Sequence, residues 1–191
     1  MPTQAASIPI IATTDFVSLE DFLSHYSNVE APFKYEWNGG IVEQRPRTMN
    51  REQFFIFQNL LDLFLKTTSY SNKGMLMCEV DMFLPFSNRT RRPDIAYLSG
   101  EQMKASRDGR PTVCQFVIEI ISQNDQVSNL EDKKAEYFSN GVQVLWVIYP
   151  NHQKVEVYRS LKEVHICLND DICSAEPVLP DFAISVSDLF A

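Results

Sequence analysis

The chain has 191 residues, 45% of them hydrophobic and 22% charged, with a formal net charge of −8. That is enough sequence for one well-cored domain, and nothing in it marks a second. No apolar stretch approaches the roughly 20 residues of a membrane helix, the opening MPTQAASIPIIATTDF lacks the basic region and long apolar core of a signal peptide, and the acidic balance argues against coating nucleic acid through a general basic surface.

A cytoplasmic location is expected. Cys78, Cys114, Cys167 and Cys173 form no CxxC pair and His25, His152 and His165 are scattered, which argues against zinc and for buried free thiols. Charge is unevenly spread: residues 163–191 hold six acids and no Lys or Arg, whereas Arg89, Arg91, Arg92, Lys104, Arg107 and Arg110 crowd residues 89–110. Arg45, Arg47 and Arg51 make a second basic cluster, and both clusters read equally as solvated loops or as local contacts to nucleic acid.

Residues 1–14 read as a flexible lead. Ser18 ahead of Glu20 and Asp21 predicts a capped helix through about Tyr26. The stretch from Lys34 to Glu43 predicts a hairpin about Asn38-Gly39-Gly40. From Asn50, as N-cap, to about Lys66, Phe54, Phe57, Leu60, Leu61, Phe64 and Leu65 recur at helical spacing. A polar connector to Gly74 follows, then one strand over Met75–Pro85, a loop at Ser87–Arg91, a strand at Ile95–Leu98, and a polar loop or short helix over Gln102–Arg110.

Phe116–Ile121 reads as a strand buried on both faces, with Val117, Glu119 and Ile121 on one and Phe116, Ile118 and Ile120 on the other. Ser128-Asn129-Leu130-Glu131 has capping-box spacing and opens a helix that Asn140-Gly141 ends. A helix between the Glu119 strand and the strand at Val142–Tyr149 makes those strands parallel. A hairpin about Pro150–Gln153 leads to a strand at Val155–Tyr158, another follows at Val164–Leu168, and an irregular acidic tail ends the chain. The order predicts an α/β fold, a mixed sheet flanked by helices.

Two carboxylates stand where this pattern predicts burial. Glu119 interrupts the most apolar strand and requires a compensating cation or donors, since an isolated buried carboxylate costs several kcal/mol. Asp94 heads the next most apolar strand, its direction set by Pro93. With Lys133 or Lys134 on the following helix, between which spacing does not choose, two acids and a lysine are the residue types that bind a divalent cation and steady an anionic transition state. Tyr137 reads as packing, and Ser122 as a turn or cap residue, since no histidine completes a triad.

The ordered set Tyr35-Glu36 with Gly40, Pro93-Asp94, Ile118-Glu119-Ile120-Ile121-Ser122, Lys133-x-x-x-Tyr137-x-x-x-Gly141-Val142, Trp146-Val147-Ile148 and Val155-Glu156-Val157-Tyr158 resembles the Uma2 family of endonucleases, formerly DUF820, of the PD-(D/E)XK superfamily. The resemblance spans roughly residues 17 to 190. It implies a restriction-endonuclease-like domain over residues 15–191, with an added N-terminal hairpin and C-terminal strands. It also implies a Mg²⁺-dependent endonuclease, Mn²⁺ serving as well, that acts on DNA; whether it works as a monomer or a homodimer is left open by the sequence. The superfamily's lysine two residues after the glutamate is Ile121 here. The resemblance moves that lysine to the next helix and selects Lys133, while Asp94, Glu119, Lys133 and Glu36 become the catalytic set and Asp94, Glu119 and the Ile120 backbone carbonyl, or that of Ile121, the metal ligands. The alternative is a catalytically inactive nuclease fold used as a binding or assembly module.

Overall fold

The computed structural model describes residues 11–26, 33–46, 51–122 and 127–191. Ser18 accepts the Asp21 N–H on its hydroxyl at 3.0 Å and opens α1 (Leu19–His25), as predicted. After β1 (Ile11–Ala12), which pairs with the hairpin, β2 (Phe33–Asn38) and β3 (Ile41–Pro46) turn about Gly39 and Gly40, whose φ of 54° and 109° suit residues without a Cβ. α2 (Arg51–Phe64) buries Ile56, Leu60 and Phe64 at four-residue spacing, whereas Phe54 is exposed and Leu65 lies exposed beyond its end. Its predicted N-cap, Asn50, lies outside the described residues, as does Arg47.

Three expected segments change character. Met75–Pro85 is not one strand but two, β4 (Met75–Cys78) and β5 (Met82–Leu84), because the chain passes through Glu79 at φ 53° and the halves join different sheets. The end of the expected loop at Ser87–Arg91 is β6 (Arg89–Arg91), paired with β5 and touching β2. The acidic tail is ordered into β12 (Ile172–Ser174), β13 (Ala183–Ser185) and α6 (Val186–Leu189), since Cys173, Leu179, Phe182 and Leu189 are buried while its acids face outward. Smaller revisions are α3 (Thr68–Ser71), capped by Thr67 within the connector, and α4 (Gly100–Arg107), opened by a Ser99–Gln102 capping box.

β7 (Ile95–Leu98), β8 (Phe116–Ile120), α5 (Val127–Ser139), β9 (Val144–Tyr149), β10 (Lys154–Ser160) and β11 (Glu163–Leu168) complete the chain. α5 starts at Val127, so Ser128 lies inside it rather than capping it. It ends as predicted, with Gly141 at φ 97° and the Val142 N–H returning to Tyr137 O.

Among the described residues, one sheet has the order β1-β3-β2-β6-β5, a second β11-β10-β9-β8-β7-β4, and β12 and β13 form a ribbon. β8 and β9 are parallel through α5, as expected of that crossover, and the other pairs are antiparallel, so the fold is mixed α/β. The predicted alternation of β8 holds. Phe116, Ile118 and Ile120 pack with Trp146 and Phe182, and Val117 and Ile121 pack with Ala96, Leu145 and Tyr137. Each large side chain so buried contributes roughly 1.5–3 kcal/mol, which fixes the strand that carries Glu119.

Candidate active site

Glu119 is the penultimate residue of β8 and only 4% exposed. Its face of the sheet is covered by α5, where Lys133, Glu136 and Tyr137 recur at the i, i+3 and i+4 positions of one helical face. Lys133 Nζ donates to Glu119 Oε2 at 2.7 Å and the Tyr137 hydroxyl donates to Oε1 at 2.5 Å. Burial first, then the Glu119 charge, holds the Tyr137 phenol well above its ordinary pKa, so it donates as a neutral hydroxyl. The compensation that Glu119 requires thus comes from two α5 residues one turn apart, and Tyr137, read from sequence as packing alone, also supplies a hydrogen bond.

Lys134 turns away. Its Nζ pairs with Glu131 at 2.6 Å and lies 4.6 Å over the Tyr158 ring. Geometry therefore puts Lys133, not Lys134, on the glutamate.

Asp94 directly precedes β7, whose first residue, Ile95, pairs with Ile118 of β8. Its Oδ2 accepts the Ile120 backbone N–H at 2.7 Å, so the peptide following Glu119 holds the aspartate. Arg92 does not serve as the aspartate's cation; it forms a two-pronged pair with Asp81, at 2.8 and 2.7 Å. That cation is Lys34 of β2, 3.5 Å from Asp94 Oδ1. Burial raises the Asp94 pKa, Lys34 opposes this, Glu119 raises it further, Lys133 and the Ile120 N–H lower it, and the net position is above the ordinary value. For Lys34 burial disfavours the charge, but Asp94, then Glu119, Glu36 and Glu79, outweigh it and lift the pKa above its ordinary value.

Glu36 is buried on β2 and accepts Arg91 Nη1 at 2.8 Å. The same guanidinium reaches Glu136 of α5 through Nε at 2.6 Å and Nη2 at 3.1 Å. Arg91 thereby pins the N-terminal hairpin to the helix that carries Lys133. Neither expectation for the basic stretch at 89–110 describes Arg91 and Arg92, which are 2% and 6% exposed and ion-paired. Arg45 and Arg51 have side chains outside the described residues.

Sequence reasoning missed Lys34, although it stands two residues before Glu36 and so shares its strand face. It also missed Gln53, whose Nε2 donates to the Ile120 carbonyl at 3.4 Å. Gln53 lies in the first turn of α2, where nothing in the local pattern marks it.

Among the described residues no group of three or more His, Cys, Asp or Glu side chains is arranged to hold a metal ion. The oxygens that the reading assigns are the Asp94 carboxylate, tied to the Ile120 N–H, the carboxylate of the preceding residue Glu119, and the Ile120 backbone carbonyl, which also accepts from Gln53. Such an all-oxygen set suits Mg²⁺, which is held through one or two carboxylates and keeps several waters. Although Glu119 already accepts two hydrogen bonds, a carboxylate has about four lone-pair sites and retains acceptor capacity. The donor chemistry fits the cation.

No helix among the described residues is long and apolar enough to cross a membrane. Nothing among curated proteins matches the sequence. A solved structure described as "a putative nuclease belonging to DUF820", from Anabaena variabilis ATCC 29413, superimposes with a TM-score of 0.74 at 19% identity, covering 91% of this chain and 97% of that one, and so shares the fold. The profile of a family described as "Putative restriction endonuclease" matches residues 19–187. A match over that much of the chain, in a fold shared with a DUF820 structure, makes the protein a member of the Uma2 family.

Proposed function

We propose that the protein is a divalent-metal-dependent endonuclease that hydrolyses phosphodiester bonds in DNA, with its centre at Asp94, Glu119 and Lys133. The observation that carries this reading is that Asp94, at the head of β7, accepts the N–H of the residue that follows Glu119 on β8, with an ammonium 2.7 Å from the glutamate. Asp94, Glu119 and the Ile120 carbonyl would hold Mg²⁺, or Mn²⁺ in its place. The bound cation would polarise the scissile phosphate and lower the pKa of a coordinated water.

The protein's own side chains supply position and charge. Lys133 and Tyr137 both donate to Glu119, which fixes the ammonium and the carboxylate in one buried geometry, so that the Lys133 charge costs little reorganisation when negative charge builds on phosphorus. Asp94 is held through Oδ2 by the backbone of the neighbouring strand. Glu36 acts at one remove, through Arg91, by holding the hairpin and α5 together.

A second reading, an inactive nuclease fold that binds or assembles, is favoured by one observation: both Glu119 oxygens are satisfied inside the protein. Incubation of the purified protein with supercoiled plasmid separates the two. Nicking or linearisation with Mg²⁺ or Mn²⁺ that stops on chelation supports the endonuclease; intact plasmid under every metal condition supports the binding module.

A further inference from the structure

Two lysines approach the carboxylates, and they are held differently. Lys133 is fixed on Glu119 at 2.7 Å. Lys34 reaches in from the other sheet, and its Nζ lies 3.5 Å from Asp94 Oδ1 and 3.5 Å from the Arg92 backbone carbonyl, at the outer limit of hydrogen bonding. The Lys34 side chain is only 12% exposed, so its long contacts are not those of a solvated surface lysine. One short bond fixes a residue; two long ones leave it able to withdraw.

Asp94 has one oxygen committed, Oδ2 to the Ile120 N–H, which leaves Oδ1 as the oxygen without a short bond. Lys34 approaches that oxygen. A divalent cation on Asp94 Oδ1 and an ammonium 3.5 Å from that oxygen would place like charges within a few ångströms, between side chains only 12% and 22% exposed. One must leave. A lysine has a flexible four-carbon stem and a single point of charge, whereas an arginine forked onto a carboxylate, as Arg92 is on Asp81, resists displacement.

We infer that Lys34 is an internal counter-cation of Asp94 that competes with the divalent metal for Asp94 Oδ1. This rests on the metal reading proposed above. It gives the N-terminal hairpin a defined role, setting the metal concentration at which the site loads.

The test is a calorimetric Mn²⁺ titration of the full-length wild type, Lys34→Met, Lys34→Gln and Asp94→Asn proteins, each first shown to be folded by its melting transition. Both Lys34 variants should bind Mn²⁺ roughly tenfold tighter than the wild type or more, because the competing charge is gone, and Asp94→Asn should lose the site. Lys34→Gln guards against a packing defect in the methionine variant. Wild-type binding with unchanged or weaker affinity in both Lys34 variants would overturn the competition while leaving the metal reading standing. Absence of Mn²⁺ binding from every protein, or undiminished binding by Asp94→Asn, would overturn the metal reading and the competition with it.

Discussion

Asp94 Oδ2 accepts the Ile120 N–H at 2.7 Å, so the aspartate heading β7 is tied to the peptide immediately after the glutamate on β8. This bond makes the spacing of the two acids a property of the sheet ladder rather than of side-chain rotamers. An asparagine oxygen can accept the same N–H, so Asp94→Asn removes the charge and keeps the tie.

The pH dependence of stability follows from that. A carboxyl group whose folded pKa lies above its unfolded value stabilises the fold below the unfolded pKa, about 3.9 for aspartate, and that contribution is lost as pH rises through the folded pKa. Asp94 is such a group. At neutral pH Asp94→Asn should therefore be as stable as the wild type or more so, and its advantage should shrink as pH falls into the ordinary aspartate range. Urea unfolding of both proteins between about pH 4 and pH 7 measures this; a less stable variant at neutral pH would mean that Lys34 and the Ile120 N–H outweigh burial.

The two adjacent lysines separate by function. Lys133→Met should lower turnover by roughly 10²–10³, the cost of losing one group that stabilises transition-state charge, with a much smaller effect on metal affinity. Lys134→Met should cleave at close to the wild-type rate, since that ammonium is engaged by Glu131 and Tyr158. The reverse pattern in single-turnover kinetics would assign the role to Lys134.

Much of this was legible in the chain. The alternating faces of β8, the parallel crossover, α1 and the C-terminal end of α5 follow from local patterning, and the two acids stood out because Glu119 interrupts one apolar strand and Asp94 heads the next. Lys34, Gln53 and Arg91 did not stand out. Their significance depends on which elements meet across 45 to 67 residues of sequence, a separation set by tertiary packing and not by any local period. The split of Met75–Pro85 was hidden for a different reason: a single positive φ at Glu79, in a residue type that does not advertise it, sends the two halves into separate sheets.

Arg91 joins carboxylates of β2 and α5 from a position only 2% exposed. Breaking a buried ion network by deleting one partner costs about 3–5 kcal/mol, so Arg91→Met should lower the unfolding free energy by that order. Denaturant melts decide it, and a loss below about 1 kcal/mol would show that the hairpin and helix are held chiefly by apolar packing.

Tyr137→Phe keeps the ring and deletes the hydroxyl that donates to Glu119 Oε1. Leaving a buried carboxylate short of one donor should cost about 1–3 kcal/mol. Thermal melts at neutral pH test this, and an unchanged melting temperature would mean that Lys133 alone satisfies the glutamate.

The most direct measurement is single-turnover cleavage of labelled duplex DNA in Mg²⁺ by the wild type, Asp94→Asn and Glu119→Gln proteins, with folding of each confirmed by its melting transition. The site built on the Ile120 peptide requires cleavage by the wild type that chelation abolishes, and none by either folded variant. Cleavage by Asp94→Asn or Glu119→Gln at the wild-type rate would contradict it.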